Sequence, residues 1–200
     1  MVDWHPMAEL LIVRHGESEW NAAGRWQGWA DPPLSPTGEG QARAAIEPLR
    51  GLGLGAVAAS DLQRARRTAG ILADGLGLGG VHVDEGLRER NVGDFTGLTR
   101  EEIDARWPGI LADWRTGKVQ QAPNGEGAEF LERVLAALDR LADRFAGQKV
   151  LVVAHGGVIR TVHRHLGGEP GPPYHLGGLW VHLADHGWAA GDVWSQASES

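Results

Sequence analysis

The sequence predicts a three-layer α/β/α sandwich with a mainly parallel sheet, and three observations lead to this fold class. Short apolar runs of strand length alternate with segments whose apolar residues recur at helical spacing. Glycine-rich breaks such as 51–55 and 75–80 separate these segments. The chain has 200 residues and no internal repeat, which fits a single domain over 1–200. Alternation of this kind is typical of a parallel sheet covered by helices.

The first strand candidate is the apolar run at 10–13, which leads directly into Arg14, His15 and Gly16. Similar runs predict further strands and a C-terminal hairpin. The strands are expected at 56–59, 81–84 and 149–154, and the hairpin at 179–184 and 188–194 around an Asp-His-Gly turn.

Helices are predicted where apolar stripes and capping residues coincide. Ser35 and Pro36 have the pattern of an N-cap followed by proline in the first turn, and the stripe continues to Leu49. Thr99 and Glu102 have capping-box spacing. The remaining apolar stripes, which predict helices, lie at 62–72, 131–145 and 158–162. Loops are predicted at 20–33, 85–97, 117–127 and 167–178. A small helical cap is predicted at roughly 97–127.

Composition narrows the functional class. The formal net charge of −7 argues against a nucleic-acid partner that binds through a broad basic surface. No apolar run approaches the roughly 20 residues of a membrane span, so no membrane partner is expected. Residues 1–9 lack the features of a signal peptide, and the chain has no cysteine. We therefore expect a cytoplasmic protein without disulfides, thiolate metal sites or a thiol nucleophile.

Charged and imidazole side chains follow the four predicted parallel strands where each strand ends. In a parallel sheet these ends lie on one edge, where ligands bind. Two histidines, at least two arginines and one carboxylate would line a single cleft there. The residues concerned are Arg14, His15, Arg64, Glu89 and His155. Glycines after each histidine let backbone N–H groups approach an anion closely.

These residue types suit phosphoryl transfer. Fixed cations stabilise the charge that spreads over three equatorial oxygens in its transition state. A neutral imidazole can attack phosphorus and hold the group covalently. A carboxylic acid can protonate the leaving oxygen and then, as a carboxylate, activate water. This chemistry needs no metal ion and no cofactor, and its substrate would be a small phosphorylated metabolite.

Residues 11–21 read Leu-Ile-Val-Arg-His-Gly-Glu-Ser-Glu-Trp-Asn, and four further blocks follow at 25–35, 60–69, 87–97 and 152–157. In this order the five blocks resemble the histidine phosphatase superfamily, the phosphoglycerate mutase-like proteins. The resemblance runs from about Glu9 to Leu166. It implies the fold of that family and, as argued below, its phosphatase branch.

The resemblance also implies a role for each matched position. His15 would become the phosphohistidine, and Glu89 would be the proton donor and later the base. Arg14, Arg64 and His155 would cradle the phosphate. Further phosphate donors, or positions near the substrate, would be Asn21, the Gly156 N–H, Gln27 and Gly28.

Other charged and aromatic residues are expected to lie outside the chemistry. Arg88 and Arg90 are interpreted as structural or surface residues, and Glu17 as an orienting or capping partner. Trp26 and Trp29 are expected to wall a pocket. No catalytic context is visible in the sequence for the remaining histidines, which are His5, His82, His163, His165, His175, His182 and His186.

Two departures from the mutase pattern favour a phosphatase, which lets water attack the phosphohistidine. Gly156 and Gly157 follow His155, where mutases resemble His-Gly-Asn, and the segment 97–126 is short where mutases carry an insertion. A third departure is Gly127, which stands where family phosphatases often have serine. The alternatives are a phosphoglycerate mutase-type phosphotransferase and a non-hydrolytic relative that binds phosphorylated ligands. The C-terminal hairpin is the candidate contact for a homodimer.

Overall fold

A central sheet forms the middle layer of the computed structural model, which describes residues 7–116, 118–169, 171 and 174–195. Within these residues the sheet has six strands: β1 (Ala8–Arg14), β2 (Leu54–Ala59), β3 (His82–Val83), β4 (Lys149–Ala154), β5 (Gly178–Ala184) and β6 (Gly187–Trp194). Their spatial order is β3-β2-β4-β1-β5-β6. The first four of these run parallel, and β5 and β6 continue the sheet antiparallel. The prediction of a mainly parallel sheet is thus confirmed.

The described residues form eight α-helices, and some of them cover the two faces of this sheet. They are α1 (Glu19–Ala22), α2 (Pro36–Ala44), α3 (Ile46–Arg50), α4 (Gln63–Leu76), α5 (Arg100–Arg106), α6 (Ile110–Arg115), α7 (Glu129–Arg144) and α8 (Gly156–His165). Successive side chains of a strand point to opposite faces, so each strand feeds two cores. Leu10 and Ile12 of β1 pack with α7 and α8, whereas Leu11 and Val13 pack with α3 and α4. The three layers follow from this alternation.

The stripe predicted as one helix over 36–49 forms two helices, α2 and α3, which meet at Ala45. Pro48 is the physical reason, because it has no N–H to donate to the Ala44 carbonyl and its ring would collide with that group. A second difference is α1, which lies in the predicted loop 20–33 and begins with a capping box between Ser18 and Asn21. The strand predicted at 81–84 is reduced to the two residues of β3.

Helices α5 and α6 lie over a third apolar cluster, separate from the two cores that flank the sheet. Its buried members include Phe95 and Ile103, and Trp26, Trp107 and Trp114 pack against them. The capping box predicted from Thr99 and Glu102 is present at the start of α5. This cluster therefore anchors the segment between the sheet's third strand and α7.

Two further features concern the ends of the described chain. The predicted hairpin is present, with Ala184 opposite Gly187, and β6 is an edge strand of the sheet. The loop predicted at 167–178 lies partly outside the described residues. No described helix has the length and apolarity that crossing a membrane would require.

The turn after β1 packs directly against α2 through two glycines. A Cβ on Gly16 would lie 2.5 Å from the Gly38 carbonyl oxygen, and a Cβ on Gly38 would overlap the backbone of Glu17, with the Glu17 nitrogen at 2.8 Å. Backbone atoms cannot move aside as a flexible side chain can. Side chains at 16 and 38 are therefore excluded by this contact, which fixes the turn that carries His15.

We predict that Gly38→Ala lowers the free energy of unfolding by about 1–3 kcal/mol, the usual cost of overpacking. Gly40→Ala is the matched control in the same helix, because a Cβ there meets no atom within 4 Å. The control should hold or raise stability, since alanine is the better helix former by up to about 1 kcal/mol. Urea unfolding of both variants measures the difference, and equal stabilities would contradict the packing argument.

Candidate active site

His15 lies just past the end of β1, where its backbone N–H donates to the Ala154 carbonyl at the end of β4. The side chain is only 3% exposed. Its Nδ1 lies 2.6 Å from the Gly16 carbonyl oxygen, which can only accept, so Nδ1 carries the proton. The lone pair is then on Nε2. Burial, followed by the charges of Arg64 and Arg14, holds the pKa of His15 well below its usual range.

Arg64, in the first turn of α4, is buried and directed at His15. Its Nε donates to His15 Nε2 at 3.3 Å, while Nη1 and Nη2 donate to the carbonyls of Ala30 and Gly28 at 2.9 and 3.0 Å. Burial lowers the pKa of Arg64 to about 10, which leaves it charged at neutral pH. Because the hydrogen bond from Arg64 to the lone pair of His15 is long, an incoming phosphate oxygen can replace His15 as its acceptor.

His155 directly follows β4 and is the N-cap residue of α8. Its ring lies 5.2 Å from that of His15, centroid to centroid. The side chain is fully buried, and neither ring nitrogen has a hydrogen-bond partner among the described residues. Burial, and then the charges of Arg64 and Arg14, keep its pKa well below the usual range. Because buried polar atoms are normally hydrogen-bonded, the two ring nitrogens of His155 are available to a ligand.

Arg14 is the last residue of β1 and adds a second cation to the site. Burial lowers its pKa to about 10, which the negative charge of Glu89 opposes and the positive charges of Arg160 and Arg64 reinforce. These electrostatic effects place Arg14 within range of both Glu89 and Arg64. The structure thus brings together the five residues predicted for the chemistry.

Glu89 lies on the loop after β3, with its carboxylate held by two backbone donors. The Gly157 N–H donates to Oε2 at 3.0 Å, and the Arg90 N–H donates to Oε1 at 2.8 Å. The Glu89 carbonyl accepts from Trp29 Nε1 at 2.8 Å and from Arg133 Nη2 at 2.9 Å. The backbone of Glu89 is therefore fixed by two side chains, and its carboxylate rests on two backbone N–H groups.

The remaining predicted site residues lie in α1, in the loop that follows it and at the start of α8. Asn21 Oδ1 accepts from the Ser18 N–H, and the single hydrogen of the Ser18 hydroxyl can go either to Asn21 Oδ1 at 3.0 Å or to Gln27 Oε1 at 2.8 Å. Gly28 has a φ of +51°, and its carbonyl accepts from Arg64. Gly156 is the first residue of α8. Their predicted contacts with a phosphate or substrate remain predictions.

The expectation that His175 has no catalytic context is wrong. Its Nδ1 lies 2.9 Å from the His15 carbonyl oxygen, and its ring centroid lies 6.0 Å from that of His15. The turn that carries it is tied to β1, because the Leu176 N–H donates to the Arg14 carbonyl. Burial and the charge of Arg14 lower the pKa of His175. No motif in the sequence marks this residue, since only the pairing of β5 with β1 brings it here.

Arg133 of α7 is a second residue that the sequence reasoning missed. Its guanidinium donates to the carbonyls of Gly86, Arg88 and Glu89 and pairs with the Glu126 carboxylate at 2.7 Å. It thereby supports the loop that carries Glu89. An arginine on the outer side of an otherwise apolar stripe gives no signal of this role in the sequence.

The structure also settles several secondary expectations. Trp26 packs in the third apolar cluster, whereas Trp29, 42% exposed, lines a depression with Arg88 and Arg133. Arg88 pairs with Asp61, which confirms its structural role. The Glu17 carboxylate accepts from the Ser35 hydroxyl at 2.8 Å and so orients the start of α2.

This arrangement combines a nucleophile, cations and a carboxylate in one cleft. His15 presents a neutral Nε2 lone pair, Arg14 and Arg64 supply positive charge, and Glu89 faces them. Among the described residues, no three His, Cys, Asp or Glu side chains cluster as they would around a metal ion. The groups present can bind a phosphate dianion and transfer its phosphoryl group to nitrogen.

Comparison with known proteins gives the same family as the sequence motifs. The model of the "Histidine phosphatase superfamily (branch 1)" matches residues 10–178. The glucosyl-3-phosphoglycerate phosphatase of Mycolicibacterium vanbaalenii is 38% identical over 197 residues, which cover 92% of this chain and 87% of that protein. The 2,3-bisphosphoglycerate-dependent phosphoglycerate mutase of Methylobacterium radiotolerans is 37% identical over 163 residues, 76% of each.

A solved structure agrees with the fold. The mycobacterial glucosyl-3-phosphoglycerate phosphatase in complex with VO3 superposes with a TM-score of 0.79 at 32% identity. The match covers 93% of this chain and 98% of that one. Phosphatases and mutases both occur among these relatives, so phosphoryl transfer is the chemistry they share.

The two buried histidines predict a loss of stability in acid. Below about pH 6.5 the unfolded chain binds protons at these imidazoles, whereas the folded chain, with its depressed pKa values, does not. The free energy of unfolding therefore falls as the pH is lowered from 7 to 5. Each histidine contributes a slope of up to about 1.4 kcal/mol per pH unit. Urea titrations across this range measure the slope.

The test variant is His155→Gln, which removes one buried imidazole and should reduce the slope. His186→Gln in the exposed turn between β5 and β6 is the control and should leave the slope unchanged. Identical slopes for the two variants would show that His155 is not held neutral by the fold.

Proposed function

The chain belongs to the histidine phosphatase superfamily, and from that premise we propose that it is a metal-independent phosphomonoesterase acting through a phosphohistidine on a small phosphorylated metabolite. One observation carries the proposal. His15 is buried with its proton on Nδ1 and its Nε2 lone pair facing Arg64. A neutral imidazole held in this state is a nucleophile at any pH near neutrality.

In the first step the phosphate of the substrate occupies the space between Arg14, Arg64 and His155. His15 Nε2 attacks phosphorus, the P–N bond forms, and the bond from phosphorus to the ester oxygen breaks. Glu89 in its protonated form gives its proton to that oxygen, and the alcohol leaves. The two guanidinium groups stabilise the charge on the equatorial oxygens.

In the second step water attacks the phosphohistidine on the face that the alcohol has left. Glu89, now a carboxylate, takes a proton from the water as the new P–O bond forms. The P–N bond breaks, and its electron pair returns to Nε2 of His15. The sum is hydrolysis of a phosphomonoester to an alcohol and inorganic phosphate, with His15 and Glu89 restored.

Hydrolysis is favoured over transfer to a second hydroxyl by two observations. The described residues of the short segment between β3 and α7 form two 3₁₀ turns, α5, α6 and their apolar cluster. The phosphatase from Mycolicibacterium vanbaalenii aligns over 92% of this chain, whereas the mutase from Methylobacterium radiotolerans aligns over 76%. Because identity with the mutase is nearly as high, phosphoglycerate mutase activity is the second candidate. Incubation with 3-phosphoglycerate separates the two, since a phosphatase releases inorganic phosphate and a mutase forms 2-phosphoglycerate.

The first prediction from this mechanism concerns the nucleophile. The protein should hydrolyse p-nitrophenyl phosphate in EDTA without added Mg²⁺, and vanadate should inhibit by occupying the cationic cleft. His15→Ala should abolish turnover and the acid-labile phosphoenzyme, whereas the control His165→Ala, an exposed residue of α8, should retain both. Activity that is lost in EDTA and restored by a divalent ion would contradict the mechanism.

The second prediction concerns Glu89. An alkyl alkoxide leaves poorly without a proton, whereas nitrophenolate leaves without help. Glu89→Gln should therefore slow hydrolysis of sugar or glycerate phosphates by about 10²–10⁴-fold, the usual range for general acid catalysis. Phosphorylation of His15 by p-nitrophenyl phosphate, measured as a rapid-mixing burst, should slow far less. Equal losses in the burst phase for good and poor leaving groups would show that Glu89 only positions other groups.

A further inference from the structure

Helix α8 begins without a side-chain cap of its own. Its N-cap residue His155 makes no capping hydrogen bond, so the first N–H groups of the helix need another partner. The Gly157 N–H finds one in the Glu89 carboxylate, 3.0 Å away and 68 positions earlier in the chain. A carboxylate at a helix N-terminus is also favoured by the helix dipole. The proposed acid thus caps the helix that follows His155.

This contact depends on the missing side chain at position 157. A Cβ on Gly157 would overlap Oε1 of Glu89 and would lie 2.9 Å from Cδ and 3.2 Å from Oε2. No other residue comes within the same range of that Cβ, because its three nearest atoms all belong to Glu89. The carboxylate therefore occupies the space that any side chain at 157 would take.

If a side chain at 157 displaced the carboxylate, the side chain of Glu89 would move and its backbone would stay in place. The Glu89 carbonyl is held by Trp29 Nε1 and Arg133 Nη2, at 2.8 and 2.9 Å. The side chain, in contrast, can rotate about its own bonds. A methyl group at 157 should consequently move the carboxylate while the loop and the helix keep their places.

We propose that Gly157 is a positioning residue for the general acid: its lack of a side chain lets the Glu89 carboxylate rest on the first turn of α8, facing the cations of the cleft. The inference rests on the proposed function, in which Glu89 protonates the leaving group. The mutase-like pattern His-Gly-Asn would place a side chain here. The glycine is then the residue that permits this placement of the acid, in addition to a donor of a backbone N–H.

The test is Gly157→Ala, with Gly70→Ala as the matched control. Gly70 lies in α4, and a Cβ there meets no atom within 4 Å. For an alkyl phosphate such as glycerol 3-phosphate, kcat of Gly157→Ala should fall by about 10–100-fold, because a misplacement near 1 Å can cost about 10²-fold. KM should change by less than threefold, since Arg14, Arg64 and His155 are untouched. The p-nitrophenyl phosphate burst should match that of the control, and a cooperative thermal transition should show that both variants fold.

A second pair of variants asks whether the effect passes through Glu89. Glu89→Asp shortens the side chain by one methylene, so its carboxylate would no longer reach the space beside 157. In a Glu89→Asp background, Gly157→Ala should therefore cost less than threefold in kcat for the alkyl phosphate. Residues that act through one contact give non-additive losses of this kind, whereas independent residues give losses that multiply.

Three results would overturn the inference. They are multiplying losses in the double variant, equal losses of Gly157→Ala on the alkyl phosphate and in the p-nitrophenyl phosphate burst, and a Gly157→Ala protein that does not fold. Failure of the proposed function is a different result, seen in the unchanged chain as the absence of a phosphoenzyme on His15. The phosphoenzyme assay is therefore run on the unchanged chain before any variant is compared.

Discussion

The constraint on which this site depends is a neutral imidazole buried beside two guanidinium groups. Burial and the charges of Arg64 and Arg14 both disfavour the imidazolium form of His15. The Gly16 carbonyl then decides which nitrogen keeps the remaining proton. Because the protonated nitrogen is Nδ1, the lone pair of the imidazole is on Nε2, which accepts a hydrogen bond from Arg64. The close approach of Gly38 to the same turn keeps these atoms in register.

Burying a cation to support this imidazole has a cost that shapes the surrounding loops. A buried guanidinium without partners is strongly unfavourable, and the structure offsets this with the carbonyls of Gly28 and Ala30. The loop after α1 is therefore ordered by the same cation that faces His15. The hydrogen-bond acceptors of Arg64 are the His15 ring and these neutral carbonyls, so a bound phosphate would bring negative charge to this guanidinium.

The sequence predicts the site residues that directly follow a strand. It does not predict the residues that reach the site only through tertiary packing. His15 and His155 follow β1 and β4, which are adjacent parallel strands, so their rings meet at 5.2 Å as sheet geometry requires. No local sequence motif marks His175 or Arg133 as a site residue, because the pairing of β5 with β1 and the packing of α7 bring them to the site. The break at Ala45 was readable from Pro48, whose effect on a helix is local.

The position of Glu89 shows why a carboxylate on a loop needs more support than an imidazole at a strand end. His15 is positioned by the sheet, because it directly follows β1. Glu89 is positioned by Trp29, Arg133 and α8, which come from three separate parts of the chain. Its carboxylate lies within electrostatic range of Arg64 but forms no direct ion pair with it among the described residues. Two backbone N–H groups hold it instead. Each carboxylate oxygen accepts one of these bonds and keeps a second lone pair, so the cap holds the carboxylate in place and leaves a position for the proton that the proposed mechanism assigns to it.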